Sequence, residues 1–213
     1  MTNFTDIIFS LILLSVLSSL ISSRILVLVK VIAFQGLLIS LSPFFINEKL
    51  SIVNIGFSML MIGVRAVMIP TFIYFAVKKM AVKKEVEPIV GYHASIFAGL
   101  IFIVFATFIS NKFHLPEIQC NKLLLPTAIT TLLSGMFLLM TRRKAITMIM
   151  GYIIMENGIY LTGMTLPETT QHIIEFGILL DILVGVMLMG IVIHNINRTF
   201  NDIDTDLLKN LKD

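Results

Sequence analysis

The sequence predicts an all-α, polytopic integral membrane protein, and three properties of the chain support this fold class. Hydrophobic residues make up 57% of its 213 residues, well above the roughly 45–50% of ordinary soluble domains. The mean hydropathy is +0.96, and only 14% of the residues are charged, which leaves little material for a soluble domain. Apolar stretches of about twenty residues, the length that a transmembrane helix needs, recur along the chain.

Seven apolar stretches are long enough to cross a bilayer as helices. No lysine or arginine precedes the first of them, and the charged residue at its start is Asp6, so it lacks the basic start of a cleavable signal peptide and is expected to be retained. The boundary between the first two is the least marked, because only Ser22, Ser23 and Arg24 separate them. The predicted spans are roughly 5–23, 25–46, 52–77, 90–110, 123–141, 145–166 and 173–194.

Lysine and arginine are distributed unevenly between the two sides of these spans. Seven spans place eleven basic residues on one side and three on the other. Because cytoplasmic loops carry the excess of basic residues, this predicts an external N-terminus and a cytoplasmic C-terminus. The eleven are Arg24, Lys78, Lys79, Lys83, Lys84, Arg142, Arg143, Lys144, Arg198, Lys209 and Lys212, and the three are Lys49, Lys112 and Lys122.

Composition argues against several classes of function. The net charge is +3, but the basic residues lie in short loops where membrane topology requires them, so nucleic acid is not an expected partner. Cys120 is the single cysteine, and no Cys/His spacing suits zinc, haem or an iron–sulfur cluster. There is no glycine-rich phosphate loop and no Ser/His/Asp arrangement. We therefore predict no catalytic residue, metal site or cofactor in this chain.

Glu156 lies eleven residues into the sixth predicted span, about 17 Å along the axis at roughly 1.5 Å per residue. A carboxylate at this depth is costly unless it is protonated, paired or beside water, and it usually marks a functional site. One interpretation is a protonated carboxyl that hydrogen-bonds a neighbour for packing. The other, which we favour, is a step in a proton relay.

Asp181 is the second intramembrane acid and lies eight residues into the seventh predicted span. Gly177 and Gly185 flank it at a distance of four residues on each side, so the three share one face of a helix. Small residues at this spacing allow another backbone to approach closely. We therefore expect Asp181 to face protein in a tight helix–helix contact and to be the second protonatable site.

Arg65 lies in the middle of the third predicted span and is followed five residues later by Pro70. A proline breaks the helix locally, because it lacks the N–H that would bond to the carbonyl of Ala66. Two interpretations remain open for this segment. It either borders a polar, water-accessible pocket, or Arg65 forms an internal ion pair with Glu156 or Asp181 that serves assembly alone.

The stretch RRKAITMIMGYIIMENGIYL (142–161) and the later DILVG (181–185) resemble the last two helices of the K subunit of complex I, a three-helix protein. Asp181 and Gly185 match the acid and the glycine of the final helix of that family. Aligning Arg142, Arg143 and Gly151 with the family pattern puts the usual glutamate at Ile153. Glu156 is three residues later, on nearly the same face and about 4.5 Å further along the axis.

The whole chain is similar to the E-type membrane component of hydrogenase-4, which belongs to the membrane arm of formate hydrogenlyase-like complexes. The MENGIY segment, the Arg65–Pro70 segment and the polar tail RTFNDIDTDLLKNLKD (198–213) carry this resemblance. The third helix of that family usually carries lysine where this chain has Arg65, and arginine keeps the charge but does not release its proton. The resemblance implies three parts: a four-helix segment (1–119), a K-like three-helix segment (120–195) and an amphipathic cytoplasmic tail (196–213).

The resemblance also implies a function and a set of partners. The chain is expected to be a subunit, without an active site of its own, of a redox-driven ion-translocating complex in a prokaryotic cytoplasmic membrane. Glu156 and Asp181 would be its proton sites, and Arg65 would tune them. Antiporter-like membrane proteins and cytoplasmic oxidoreductase proteins with nickel–iron and iron–sulfur centres are the implied partners. A purely structural adaptor and a stand-alone secondary transporter are the alternatives, although the sequence shows no inverted repeat of the transporter kind.

Overall fold

The computed structural model of the protein describes residues 2–46, 56, 59, 61–79, 89–112 and 121–165. Within these residues the secondary structure is helical and contains no strand. The third helix begins as a π-helix and continues as an α-helix, and we call both parts together α3. The helices are α1 (Thr2–Ile21), α2 (Ile25–Ile46), α3 (π-helical Gly63–Met68 and α-helical Ile69–Lys79), α4 (Tyr92–Lys112), α5 (Leu124–Thr141) and α6 (Ala145–Gly163).

Each of these helices lies within one of the first six predicted spans or differs from its ends by a few residues. In the described part of the chain, α1, α2, α4 and α5 each contain a segment that is long and apolar enough to cross a membrane. The protein is therefore a multi-pass membrane protein. The predicted seventh span with Gly177, Asp181 and Gly185, and the tail 196–213, lie outside the described residues.

Contacts between helix ends show that α5 runs parallel to α1 and that α4 runs antiparallel to both. At one end of the bundle, Nη2 of Arg142 donates to the carbonyl oxygen of Leu20 at 3.2 Å, and the Arg142 guanidinium lies 5.9 Å from the centre of the Tyr92 ring. At the other end, Nδ2 of Asn121 donates to Thr5 Oγ1 at 2.7 Å. We call the first the basic end, because it also carries Arg24, Lys78, Arg143 and Lys144.

Arg142 joins three helices at the basic end. Its side chain is buried, and it donates to a carbonyl in the last turn of α1, where the partial negative charge of the helix favours a cation. Burial lowers the pKa of the Arg142 guanidinium from its ordinary value, and the nearby Tyr92 opposes this effect. The contact fixes the turn between α5 and α6 against α1 and α4.

The most extensive helix contact joins α5 and α6, and glycine makes it close. A side chain at Gly158 would collide with the backbone nitrogen of Leu132, and one at Gly135 would collide with the backbone nitrogen of Met155. Small residues allow such an approach between membrane helices, where van der Waals contact replaces the hydrophobic effect as the driving force. The pair α5–α6 is thus a rigid support for the side chains of α6 that point away from α5.

Two apolar clusters fill the interior of the bundle, one nearer the basic end and one nearer the opposite end. On α2 the first cluster ends at Ile32, and the second begins at Leu38. On α6 the first ends at Ile154, and the second begins at Tyr160. Between these limits the buried polar side chains are Gln35 on α2 and Glu156 and Asn157 on α6. Together with the buried Arg65 of α3 they form a polar layer across the middle of the bundle.

Candidate functional site

The polar layer brings together buried side chains from three helices. Arg65 of α3, Glu156 and Asn157 of α6, and Gln35 of α2 are each at most 4% exposed. Long charged side chains are almost never this deeply buried unless they are paired. The layer is therefore a built polar site, not an incidental gap between the apolar clusters.

Three contacts join Arg65 to α6. Its Nη2 lies 3.8 Å from Glu156 Oε1, and its Nη1 donates to Asn157 Oδ1 at 3.5 Å. The guanidinium carbon lies 4.3 Å from the centre of the Tyr160 ring, a cation–π contact that is strengthened when water is excluded. Glu156 and Tyr160 are four residues apart and share one face of α6, which is why one guanidinium reaches both.

The local backbone of α3 explains how Arg65 is placed. Gly63–Met68 is π-helical, and the N–H of Ile69 donates to Val64 O, five residues back. Pro70 follows directly and cannot donate. Short π-helical stretches inside α-helices often occur at functional sites.

Pro70 does not end the helix, since α3 continues as an α-helix to Lys79. The prediction from sequence paired the missing N–H of Pro70 with the carbonyl of Ala66. In a π-helix an N–H bonds to the carbonyl five residues earlier, so the carbonyl that corresponds to Pro70 is that of Arg65 and not that of Ala66. The disturbance is taken up as a wider turn around Arg65.

Helix α2 closes the site against this wider turn. A Cβ atom at Gly36 would lie only 2.9 Å from the carbonyl oxygen of Arg65, so any larger residue at this position would push α2 and α3 apart. Glycine at position 36 therefore sets the distance between Gln35 on α2 and the Arg65 segment.

The site pairs a titratable carboxyl group with a fixed positive charge. When Glu156 is ionised, its attraction to Arg65 at 3.8 Å is about 4 kcal/mol at an effective dielectric constant of about 20. The attraction halves if the distance doubles. Small shifts of α3 against α6 would thus change the strength of this charge–charge attraction. No group of three or more histidine, cysteine, aspartate or glutamate residues that could hold a metal occurs in the part of the chain that the structure describes.

The structure adds three residues that the sequence analysis did not single out: Gln35, Asn157 and Tyr160. Each carried a signal in the sequence. Asn157 is adjacent to Glu156, and Tyr160 follows Glu156 by four residues, so they share or border its helix face. Gln35 is a lone amide in the middle of an apolar span, where polar residues are costly.

Comparison with known proteins gives one family match to the C-terminal part of the chain and one relative that matches along most of its length. Residues 123–213 match the family model of NADH-ubiquinone/plastoquinone oxidoreductase chain 4L. Over 193 residues the chain is 28% identical to "Uncharacterized protein Rv0085" of Mycobacterium tuberculosis, a match that covers 87% of this chain and 86% of that protein. No solved structure matches the chain.

The family match supports the complex I-like part of the resemblance seen in the sequence. It covers α5, α6 and the C-terminal residues and includes Glu156 and Asn157. Arg65 and Gln35 lie outside it. The two halves of the chain therefore meet at the polar layer, where the N-terminal half provides the cation and the chain 4L-like half provides the carboxyl group.

Proposed function

We propose that the protein is a membrane-arm subunit of a complex I-type redox complex that translocates ions, most simply protons. In this proposal Glu156 and Asp181 are protonatable steps of a lateral path, and Arg65 adjusts the proton affinity of Glu156. The observation that carries the proposal is the buried contact of Arg65 with Glu156, Asn157 and Tyr160. The three residues of α6 lie within the segment that matches chain 4L.

The chain itself carries out no redox chemistry in this proposal. Movement of neighbouring subunits would shift α3 relative to α6 and change the Arg65–Glu156 distance. Because attraction between charges falls with distance, each shift would change proton occupancy at Glu156. This links events elsewhere in the complex to proton binding in the membrane.

We further propose that the complex is of the hydrogenase-4 or formate hydrogenlyase type in a prokaryotic cytoplasmic membrane. Its partners would then be antiporter-like membrane proteins and cytoplasmic proteins that carry nickel–iron and iron–sulfur centres. Purification through a tag on this chain, followed by metal analysis, tests this. Nickel and iron in a co-purifying complex support the proposal, whereas iron without nickel would favour a different oxidoreductase of the complex I type.

The decisive experiment compares Glu156→Gln and Asp181→Asn in the intact complex in sealed vesicles. Both substitutions keep the side-chain shape but remove the titratable proton. We expect the complex to assemble with its electron-transfer centres, because the amide oxygen that Glu156→Gln introduces can still accept a hydrogen bond from Arg65. Ion uptake should be lost. Glu175→Gln is the matched control, because Glu175 is the third residue of the seventh predicted span and lies at its external end in the predicted topology; it should leave uptake unchanged.

Two other outcomes would point to the alternative functions. Full ion uptake in both variants would contradict the proton path and favour a structural adaptor. Purification of the chain alone or as a homo-oligomer, with no redox proteins, would favour a stand-alone transporter.

A further inference from the structure

The side-chain amides of Gln35 and Asn157 are buried in the polar layer beside the ion pair. Gln35 is 0% exposed, and its Nε2 and Oε1 make no hydrogen bond to the residues that the structure describes. Asn157 accepts a hydrogen bond from Arg65 with Oδ1, but its Nδ2 has no such partner within the same described residues. Buried polar groups are normally hydrogen-bonded, and the bilayer interior offers no bulk water to satisfy them.

The register of α2 against α6 puts these two amides at the same level of the bundle. The helices run parallel, because the first turns of both lie in the apolar cluster near the basic end. At the opposite end Ser42 Oγ lies 3.4 Å from Met164 Sδ. Gln35 precedes Ser42 by seven residues, and Asn157 precedes Met164 by seven. Seven residues are about two helical turns, so each pair shares one helix face and Gln35 is level with Asn157.

The apolar clusters lead independently to the same register. Ile32 of α2 and Ile153 of α6 belong to the cluster on one side of the polar layer, and Leu38 and Tyr160 belong to the cluster on the other side. Gln35 and Asn157 thus lie at the same level of the bundle, and no direct hydrogen bond joins their side-chain amides.

We propose that Gln35 and Asn157 hold a water molecule between them, at the edge of the Arg65–Glu156 ion pair. A buried water typically makes about three hydrogen bonds to polar groups that would otherwise be unsatisfied. Gln35 offers its Nε2 group as a donor and its Oε1 as an acceptor, and Nδ2 of Asn157 offers a second donor group. Because Oδ1 of Asn157 accepts from Arg65, its Nδ2 is free to face this water.

Water fits this position better than a metal cation does. The Arg65 guanidinium contacts the same amide and would repel a cation at this short distance. Asn157 also presents an N–H group here, which is a donor and not a metal ligand. A neutral ligand that both donates and accepts hydrogen bonds is required, and water is the smallest one.

This water would connect Gln35 to Arg65 through Asn157, and its relevance to ion movement rests on the proposed function. The water adds a polar contact on the α2 side of a layer that is otherwise enclosed by apolar clusters. Gln35 would act on the carboxyl group only through the water and the Asn157–Arg65 contact.

Solid-state NMR of the full chain in lipid bilayers tests the water site directly. The chain has only three glutamines, Gln35, Gln119 and Gln171, so labelling the side-chain amide nitrogen of glutamine with 15N gives a simple spectrum. The Gln35 signal is identified as the one that Gln35→Leu removes. We expect magnetisation to pass from water protons to the side-chain amide of Gln35 in the wild-type chain. Absence of this transfer in the wild type would overturn the proposal, whatever the variants do.

Two variants test whether Asn157 shares the water. Asn157→Leu should abolish the transfer at Gln35, whereas Ser42→Ala, on the same face of α2, should retain it. Transfer that persists at full strength in Asn157→Leu would overturn the shared site. Unchanged signals of the other two glutamines would show that the variants keep their fold.

The water site and the proposed function can fail separately. A water signal at Gln35 together with normal ion uptake by Glu156→Gln would retain the water and remove the proton role. Lost uptake in Glu156→Gln without a water signal at Gln35 would retain the proton role and remove the water.

Discussion

At the scale of single residues, the burial of Arg65 controls the energetics of the site. Arg65 and Glu156 are both almost completely buried, and a buried charge is tolerated only when a partner compensates for lost hydration. Arginine also contacts Asn157 and Tyr160 through its planar guanidinium. A lysine ammonium is a compact point charge and would not make all three contacts in the same way.

The first prediction concerns the loss of one member of this pair. Arg65→Leu should destabilise the chain by about 3–5 kcal/mol, because it leaves the Glu156 carboxyl group without its cation in the interior. The double variant Arg65→Leu/Glu156→Leu should recover much of this loss, since apolar replacement of a buried ion pair is often tolerated. Thermal unfolding of the purified chain in detergent measures both. Arg143→Leu, at an exposed position, is the control, and a double variant as unstable as the single one would contradict the prediction.

At the scale of helices, the π-helical segment and the glycine contacts decide which side chains meet. Hydropathy placed a predicted span over each of the six helices, although only α1, α2, α4 and α5 are long and apolar enough to cross a membrane within the described residues. It left open whether Arg65 pairs with Glu156 or Asp181, since both acids lie at similar depths. The contact with Glu156 depends on the wider turn before Pro70 and on the close approach at Gly36. Both features arise from packing, which a single sequence does not encode as a pattern.

The second prediction concerns Pro70. Pro70→Ala restores an N–H at this position and should allow Gly63–Met68 to return to an α-helix, which is normally preferred to a π-helix. The changed turn would rotate Arg65 relative to α6. We therefore expect the Arg65–Glu156 coupling energy from a double-mutant cycle to fall in the Pro70→Ala background. It should remain in Pro43→Ala, which alters a proline inside α2. Equal coupling in both backgrounds would show that the π-helical turn does not place Arg65.

The third prediction concerns the α5–α6 contact. Gly158→Ala should destabilise the chain by about 1–3 kcal/mol. The added methyl group meets backbone atoms of Leu132, and these cannot move aside as the end of a flexible side chain could. Gly91→Ala is the matched control, since nothing lies within 4 Å of a Cβ atom there. Thermal unfolding in detergent gives the comparison. Equal stability of the two variants would mean that α5 and α6 can separate without loss.

At the scale of the whole molecule, the N-terminal half completes a site that the chain 4L-like half does not form by itself. Glu156 lies in the matched segment, and its cation comes from α3, roughly ninety residues earlier. The sequence suggested this division through the two resemblances. It did not reveal Gln35, because a lone glutamine in an apolar helix has no partner until the register of α2 and α6 is known. The three-part division of the chain remains a prediction.

The fourth prediction concerns the orientation of the bundle. The basic end carries Arg24, Lys78 and the Arg142–Lys144 turn, and an excess of basic residues marks the cytoplasmic side. In a chain with Cys120→Ser, a cysteine introduced by Arg143→Cys should react with a membrane-impermeant maleimide only in inside-out vesicles. One introduced by Lys122→Cys should react only in right-side-out vesicles. Both positions are exposed, so reactivity reports sidedness and not burial. The reverse pattern would place the N-terminus in the cytoplasm and the basic end outside.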